Sequence, residues 1–126
     1  MQALVVDDSR AARTILRRIL EDVGFEVREV PEGREALELL RKRRYCDPFD
    51  LVVLEWHLPG LGGLDVARAL RADDGFSGLR LLMVTTETAM EALAAALDAG
   101  VDEYAMKPFT RDVIFEKLAL LGLVVP

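Results

Sequence analysis

Short apolar runs alternate along the chain with longer segments of helical period. Ala3 to Val6 reads as a buried strand. Arg10 to Val23 carries Ile15, Leu16, Ile19, Leu20 and Val23, which fall on one helical face. Gly24 is placed to stop that helix. Glu26 to Val30 alternates and reads as a strand nearer the sheet edge. Glu32 to Arg44 reads as a second helix with Ala36, Leu37 and Leu40 turned inward. Leu51 to Leu54 is apolar throughout, as a strand covered on both faces must be. Leu64 to Ala72 follows as a helix and Leu79 to Val84 as a strand. Ala89 to Ala99 is an alanine-rich helix ended by Gly100. Glu103 to Met106 is a fifth strand and Arg111 to Leu121 a last helix. Five strand–helix units predict an α/β fold, one sheet with helices on both faces.

The polar residues at the strand ends change the picture most. Asp7-Asp8 close the first run, Glu55 the third, Thr85-Thr86 the fourth, and Lys107-Pro108 the fifth. In open α/β sheets, ligands bind beyond the carboxyl ends of the strands, where strand order reverses. All these residues fall on that one rim. Each also has a plainer reading. Acids at a helix N-terminus complement its dipole, and Ser9 or Asp8 can cap it. Thr85 or Thr86 can cap the next helix. Tyr104 can simply pack, with its hydroxyl at the edge. Lys107 can be a solvated lysine before an ordinary turn. Together, however, three carboxylates on one rim repel one another, and a hard cation relieves them best.

Composition narrows the function classes. The 126 residues fit one domain with a real core. A hydrophobic share of 52% argues against disorder. The formal net charge of -6 disfavours nucleic acid, whose phosphates need clustered Lys and Arg, and favours divalent cations or basic partner surfaces. One cysteine, Cys46, cannot form an internal disulfide, which permits a reducing compartment. The first residues reach Asp7 too soon for a signal-peptide apolar region. No apolar run approaches the roughly 20 residues of a membrane span. These features predict a cytoplasmic protein with no membrane segment.

The set Asp7-Asp8, Glu55, Thr85, Lys107-Pro108 resembles the receiver domain of two-component response regulators, close to the single-domain chemotaxis kind. The resemblance covers essentially the whole chain, with residues 1–121 as the receiver and 122–126 as a short apolar tail. It implies a five-stranded parallel sheet in the flavodoxin-like order 2-1-3-4-5. That order belongs to the fold family, of which chemotaxis receivers are an instance, and the residues alone leave it open. The resemblance also implies a signalling module rather than an enzyme. In the family, an aspartate at the position of Glu55 accepts a phosphoryl group from a sensor histidine kinase or phosphotransfer protein. Magnesium is the implied cofactor. Asp8 is then a direct ligand and Asp7 assists partly through water, joined by an oxygen of residue 55 and the main-chain carbonyl of His57. The His57 side chain, the only histidine, is expected in a surface loop without a role. Thr85 becomes the switch hydroxyl, Tyr104 a rotamer switch, and Lys107 the phosphate-oxygen partner, preceding a cis proline bond.

Two positions depart from the pattern. Glu55 carries one more methylene than aspartate, so its carboxylate reaches about 1.5 Å further. That displaces the nucleophilic oxygen from in-line geometry, and small misplacements cost large factors. Weak or absent phosphorylation follows. Gly62-Gly63 stands where the family has Asp-Gly, which removes an acid but no expected ligand. Output is expected through protein–protein contact on the face made by Ala89–Ala99, Glu103–Met106 and Arg111–Leu121. Two rivals remain. A magnesium-dependent phosphohydrolase of the haloacid dehalogenase kind would need a second acid two residues after its first-strand nucleophile, and Asp7-Asp8-Ser9 lacks that spacing. A purely structural pseudo-receiver would bind neither metal nor phosphoryl group.

Overall fold

A computed structural model describes residues 1–125. Five strands form one parallel sheet: β1 (Gln2–Val6), β2 (Glu26–Val30), β3 (Leu51–Leu54), β4 (Arg80–Thr85) and β5 (Glu103–Met106). Their order is β2-β1-β3-β4-β5, the order implied by the resemblance. Five helices connect or follow them: α1 (Arg10–Asp22), α2 (Gly33–Lys42), α3 (Gly63–Arg71), α4 (Met90–Asp98) and α5 (Arg111–Leu120). A short 3-10 turn at Asp74–Phe76 was not expected. Its signal was the run Asp73-Asp74-Gly75, and the Asp73 side chain accepts from the Gly75 amide.

The central strands β1, β3 and β4 look almost uniformly apolar, yet their period of two divides the core. Ala3, Val5, Leu51, Val53, Leu82 and Val84 pack with α1 and α5. Leu4, Val6, Val52, Leu54, Leu81 and Met83 pack with α2, α3 and α4. Strands covered on both faces leave no polar alternation to read. On α1 the buried residues are Leu16, Ile19 and Leu20, but Ile15 is 50% exposed. The expected inward face was therefore one residue too wide. Gly24 and Gly100 do end helices, with φ of +103 and +100 that side chains rarely tolerate. In the apolar tail, Leu123 and Val124 rest against the α1/α5 side of the core. Pro126 lies outside the described residues.

Candidate functional site

Register brings the rim together. The pair Val6↔Leu54 is the last of the β1–β3 ladder, so Asp7 and Glu55 leave their strands side by side. The Glu55 amide still donates to the Val6 carbonyl at 2.9 Å. Across the sheet, Thr85 pairs with Met106, and the Lys107 amide donates to the Thr85 carbonyl at 2.8 Å. Lys107 thus starts from the same rim, at the end of β5, and reaches inward. The Lys107–Pro108 peptide is cis, as expected.

Lys107 Nζ sits between two buried carboxylates. It donates to Asp7 Oδ2 at 2.6 Å and to Glu55 Oε1 at 2.9 Å. The Asp7 and Glu55 side chains are only 2% and 7% exposed. The other carboxylate oxygens are also satisfied. Asp7 Oδ1 accepts from the Ser9 amide at 2.9 Å. Glu55 Oε2 accepts from the amides of Trp56 at 2.6 Å and His57 at 3.3 Å. The extra methylene of Glu55 lets the carboxylate bend back onto the loop that follows it. That loop is tight: a Cβ on Gly63 would stand 2.1 Å from the Glu55 carbonyl oxygen. Glycine at 63 is required here for space.

Burial pushes the Glu55 carboxyl up, but the Thr85 hydroxyl, Lys107 and the His57 amide outweigh it. The group ends below the ordinary carboxylate range. Thr85 contributes to this without closing to standard hydrogen-bond geometry with Glu55; its Oγ1 accepts from the Glu87 amide at 3.3 Å. Burial likewise depresses the Lys107 ammonium, and hydrogen bonds and charge from Asp7 and Glu55 reverse that, leaving it raised. Both signs favour the charged forms of Glu55 and Lys107.

The remaining rim residues separate. Asp8 is exposed, with no side-chain partner among the described residues. Thr85 is fully buried and Thr86 exposed. Tyr104 packs part-buried against the α2–α4 core, and its hydroxyl donates to the Glu87 carbonyl at 2.7 Å. Burial raises the Tyr104 pKa, with help from Glu87 and Glu55. The His57 side chain is 58% exposed but not idle, since Nε2 lies 2.6 Å from Glu87 Oε1. Sequence reasoning overlooked Glu87, which joins the β3–α3 loop, Thr85 and Tyr104. It lies two residues past a strand end, where a lone acid carries no distinctive signal.

The donor set bears directly on magnesium. Among the described residues no three His, Cys, Asp or Glu gather into a metal cage. Asp7 and Glu55 do converge on a cation, but that cation is Lys107. As arranged, the residues fit one internal ammonium and not a divalent ion with several free carboxylate oxygens.

The family model of the response regulator receiver domain matches residues 3–119. The chain belongs to that family. This receiver is 40% identical over 119 residues to the chemotaxis protein CheY of Pseudomonas aeruginosa, covering 94% of this chain and 93% of that one. It is equally similar to chemotaxis protein CheY-3 of Vibrio cholerae, at 40% identity and 88% of that protein's length. Among solved structures, chemotaxis protein CheY4 of Vibrio cholerae superposes with a TM-score of 0.85 at 30% identity, covering 95% and 97% of the two chains. The receiver is therefore a CheY-like module of two-component signalling. The haloacid dehalogenase reading finds no support: the match is to receivers, and the β1 end lacks the spaced second acid.

Proposed function

We propose that this receiver signals through protein contact and is not switched by aspartyl-type phosphorylation. The observation that carries the reading is the engagement of both Glu55 oxygens, Oε1 by Lys107 and Oε2 by two amides. A phosphoryl acceptor needs a free oxygen in line with the donor, with Lys107 available for the transferred group. Here the glutamate occupies the lysine and turns its second oxygen onto its own loop. Thr85, Lys107 and residue 55 keep the positions of a phosphorylation site with its working atoms already bonded.

Magnesium enters this reading only as a competitor of Lys107, with Asp8, Asp7, Glu55 and the His57 carbonyl as the groups that would hold it. When bound, such an ion would neutralise the rim carboxylates. The partners are a sensor histidine kinase or phosphotransfer protein and a target protein, all met in the cytoplasm; among the described residues no helix is long and apolar enough to cross a membrane. The target face is the α4–β5–α5 surface. There Met90, Leu97 and Met106 are 77%, 51% and 48% exposed, and a shallow groove runs between Leu93, Leu97, Tyr104, Met106 and Lys117. Tyr104 belongs both to that groove and, through Glu87, to the loop beside Thr85.

The test is incubation of the chain with a small phosphodonor and magnesium, read by intact mass. The native chain should give little or no stable adduct, and Glu55→Asp should restore one. Efficient labelling of the native chain, mapped to Glu55, sinks the proposal.

A further inference from the structure

A parallel sheet has two free edges, and this fold treats them differently. At the β2 edge the Glu26 amide donates to the Met1 carbonyl, and the Val30 carbonyl accepts from the Asp7 amide. The even-numbered residues of β2 thus bond to β1, and Val27 and Glu29 turn their main chain outward. That edge is covered. Arg17 Nη2 donates to the Val27 carbonyl at 3.0 Å, and Arg17 and Arg13 are both anchored on the Glu29 carboxylate, at 2.7 and 3.2 Å. A charged side chain over an edge carbonyl obstructs the pairing of a further strand.

The β5 edge has no such cover. The Lys107 amide bonds to the Thr85 carbonyl, so by the same alternation Ala105 faces β4. The main-chain groups of Tyr104 and Met106 then point away from the sheet. The hydrogen bonds that β5 makes outside the sheet use the side chains of Tyr104 and Glu103, not these groups. The flanking helices leave the edge open as well. α4 packs on one face of the sheet through Ala96 and Ala99, and α5 on the other through Ile114 and Leu118. Between them runs the shallow groove, with Leu93 and Leu97 on the α4 wall, Tyr104 and Met106 along β5, and Lys117 on the α5 wall.

Charge selects the occupant. From Thr86 to Leu121 the chain carries seven acids and three bases, and each base is engaged. Lys107 sits between Asp7 and Glu55, Arg111 on Asp22 and Lys117 on Glu103. Glu91 and Asp98 on α4, and Asp112 and Glu116 on α5, are exposed and in no ion pair among the described residues. Both helices beside the edge therefore carry spare negative charge and no spare positive charge. A second copy of this chain would bring the same acids to the edge and be repelled.

We propose that the β5 edge accepts an extended, cationic segment of the target protein as a sixth strand. Its main chain bonds to Tyr104 and Met106, its apolar side chains rest on Leu93, Leu97 and Met106, and its lysines or arginines reach the acids of α4 and α5. This rests on the contact-signalling function proposed above, with the target now given a charge and a backbone form. The probe is a capped peptide of alternating lysine and valine, about six residues long as strands usually are. It is titrated into the isotope-labelled full chain and followed by amide chemical shifts and hydrogen exchange. Saturable shifts should fall at Leu93, Leu97, Tyr104 and Met106, and exchange of the Tyr104 and Met106 amides should slow as they gain partners. The same peptide methylated at every backbone nitrogen should bind about tenfold weaker, for the loss of its main-chain donors; equal binding overturns strand pairing. A glutamate–valine peptide should not bind, and binding equal to that of the lysine peptide overturns the charge assignment. Leu97 is 51% exposed, so Leu97→Lys keeps the fold, and a cation on the α4 wall should weaken binding at least about tenfold. Binding unchanged by Leu97→Lys puts the peptide elsewhere and overturns the site. Shifts at the same residues that grow with protein concentration, without peptide, make a second copy the occupant and overturn the partner. Absence of saturable binding overturns the proposal. Efficient labelling of Glu55 by a phosphodonor would sink the function proposed above and leave these peptide outcomes unchanged, which keeps the two failures distinct.

Discussion

Replacing Lys107 by alanine would remove the cation between Asp7 and Glu55, which are 2% and 7% exposed. Breaking a buried ion pair by removing one partner costs about 3–5 kcal/mol, because a charge is left uncompensated. The lysine side chain is 17% exposed, and the carboxylates keep their amide donors, so the lower end applies. About 3 kcal/mol is expected at pH 7, or roughly 12 °C in Tm for a domain of this size. The pH dependence identifies the cause. The folded Glu55 pKa is lowered, so its contribution is present above the unfolded carboxylate value, about 4.3, and is lost as pH falls through the folded value. The Lys107 pKa is raised, so its contribution is complete below about 10.4 and is lost only as pH rises through its folded value. The Lys107→Ala deficit should therefore be full near pH 7 and shrink as pH drops below the carboxylate range. Urea unfolding of both chains across that range measures it. Adding Glu55→Gln to Lys107→Ala should recover part of the loss, since the amide oxygen can still accept from Trp56 and His57 while the charge is gone. A deficit under about 1 kcal/mol, or one independent of pH, would refute the ion triad as the organising interaction of the rim.

Three further outcomes follow from the same geometry. Millimolar magnesium (an order-of-magnitude expectation for few protein ligands) should leave Trp56 emission and Tm unchanged in the native chain, where Lys107 holds the carboxylates, and should change both in Lys107→Ala; adding Asp8→Asn to Lys107→Ala should remove the responses, and a native response equal to that of Lys107→Ala would show that lysine does not compete. Tyr104→Phe removes the donor to the Glu87 carbonyl and should cost about 1 kcal/mol, with faster amide exchange confined to the loop between β4 and α4; unchanged exchange there would show that the hydroxyl does not hold the loop. On α1, Leu16→Ala should cost about 2–4 kcal/mol and Ile15→Ala about 0.5 or less, as urea midpoints report, because Leu16 is 1% and Ile15 50% exposed.

The sheet was legible because parallel strands buried on both faces must be short, apolar and separated by helices, as β1, β3 and β4 are, while the part-exposed edge strands β2 and β5 keep the same spacing between helices. Strand order was not legible; it came with the resemblance. Helix faces were readable only to within one residue, as Ile15 shows, because a helix of 3.6 residues per turn places a marginal position at the edge of the stripe. At the rim, residue types and strand ends located Asp7, Glu55, Thr85 and Lys107 correctly on one edge. Their bonds depend on side-chain reach and on which donors lie nearby. Spacing along the chain carries neither. The Glu87 contacts, and Arg44 with Asp73, 29 residues apart, were invisible for that reason.

On the proposed reading, the one extra methylene of Glu55 changes the chemistry of the site while keeping its charge. A carboxylate at a strand end beside Asp7 must be neutralised whatever its length, because two buried anions side by side cannot persist in a poorly hydrated site. The longer side chain changes which donors do the neutralising. It brings Oε1 to Lys107 and turns Oε2 back to the amides of Trp56 and His57. Each bond lowers the energy of the resting arrangement, and each must be broken before an oxygen can attack or a cation can enter. On the reading proposed above, a glutamate that looks conservative by charge acts mainly by stabilising the ground state of the site. Such stabilisation raises the barrier to reaction rather than assisting it. Glu55→Asp tests this separately from phosphorylation. The shorter arm would draw the carboxylate back from the loop amides, so exchange of the Trp56 and His57 amides should accelerate even with no phosphodonor present. Unchanged protection at both amides would show that the loop, and not the side-chain length, holds them.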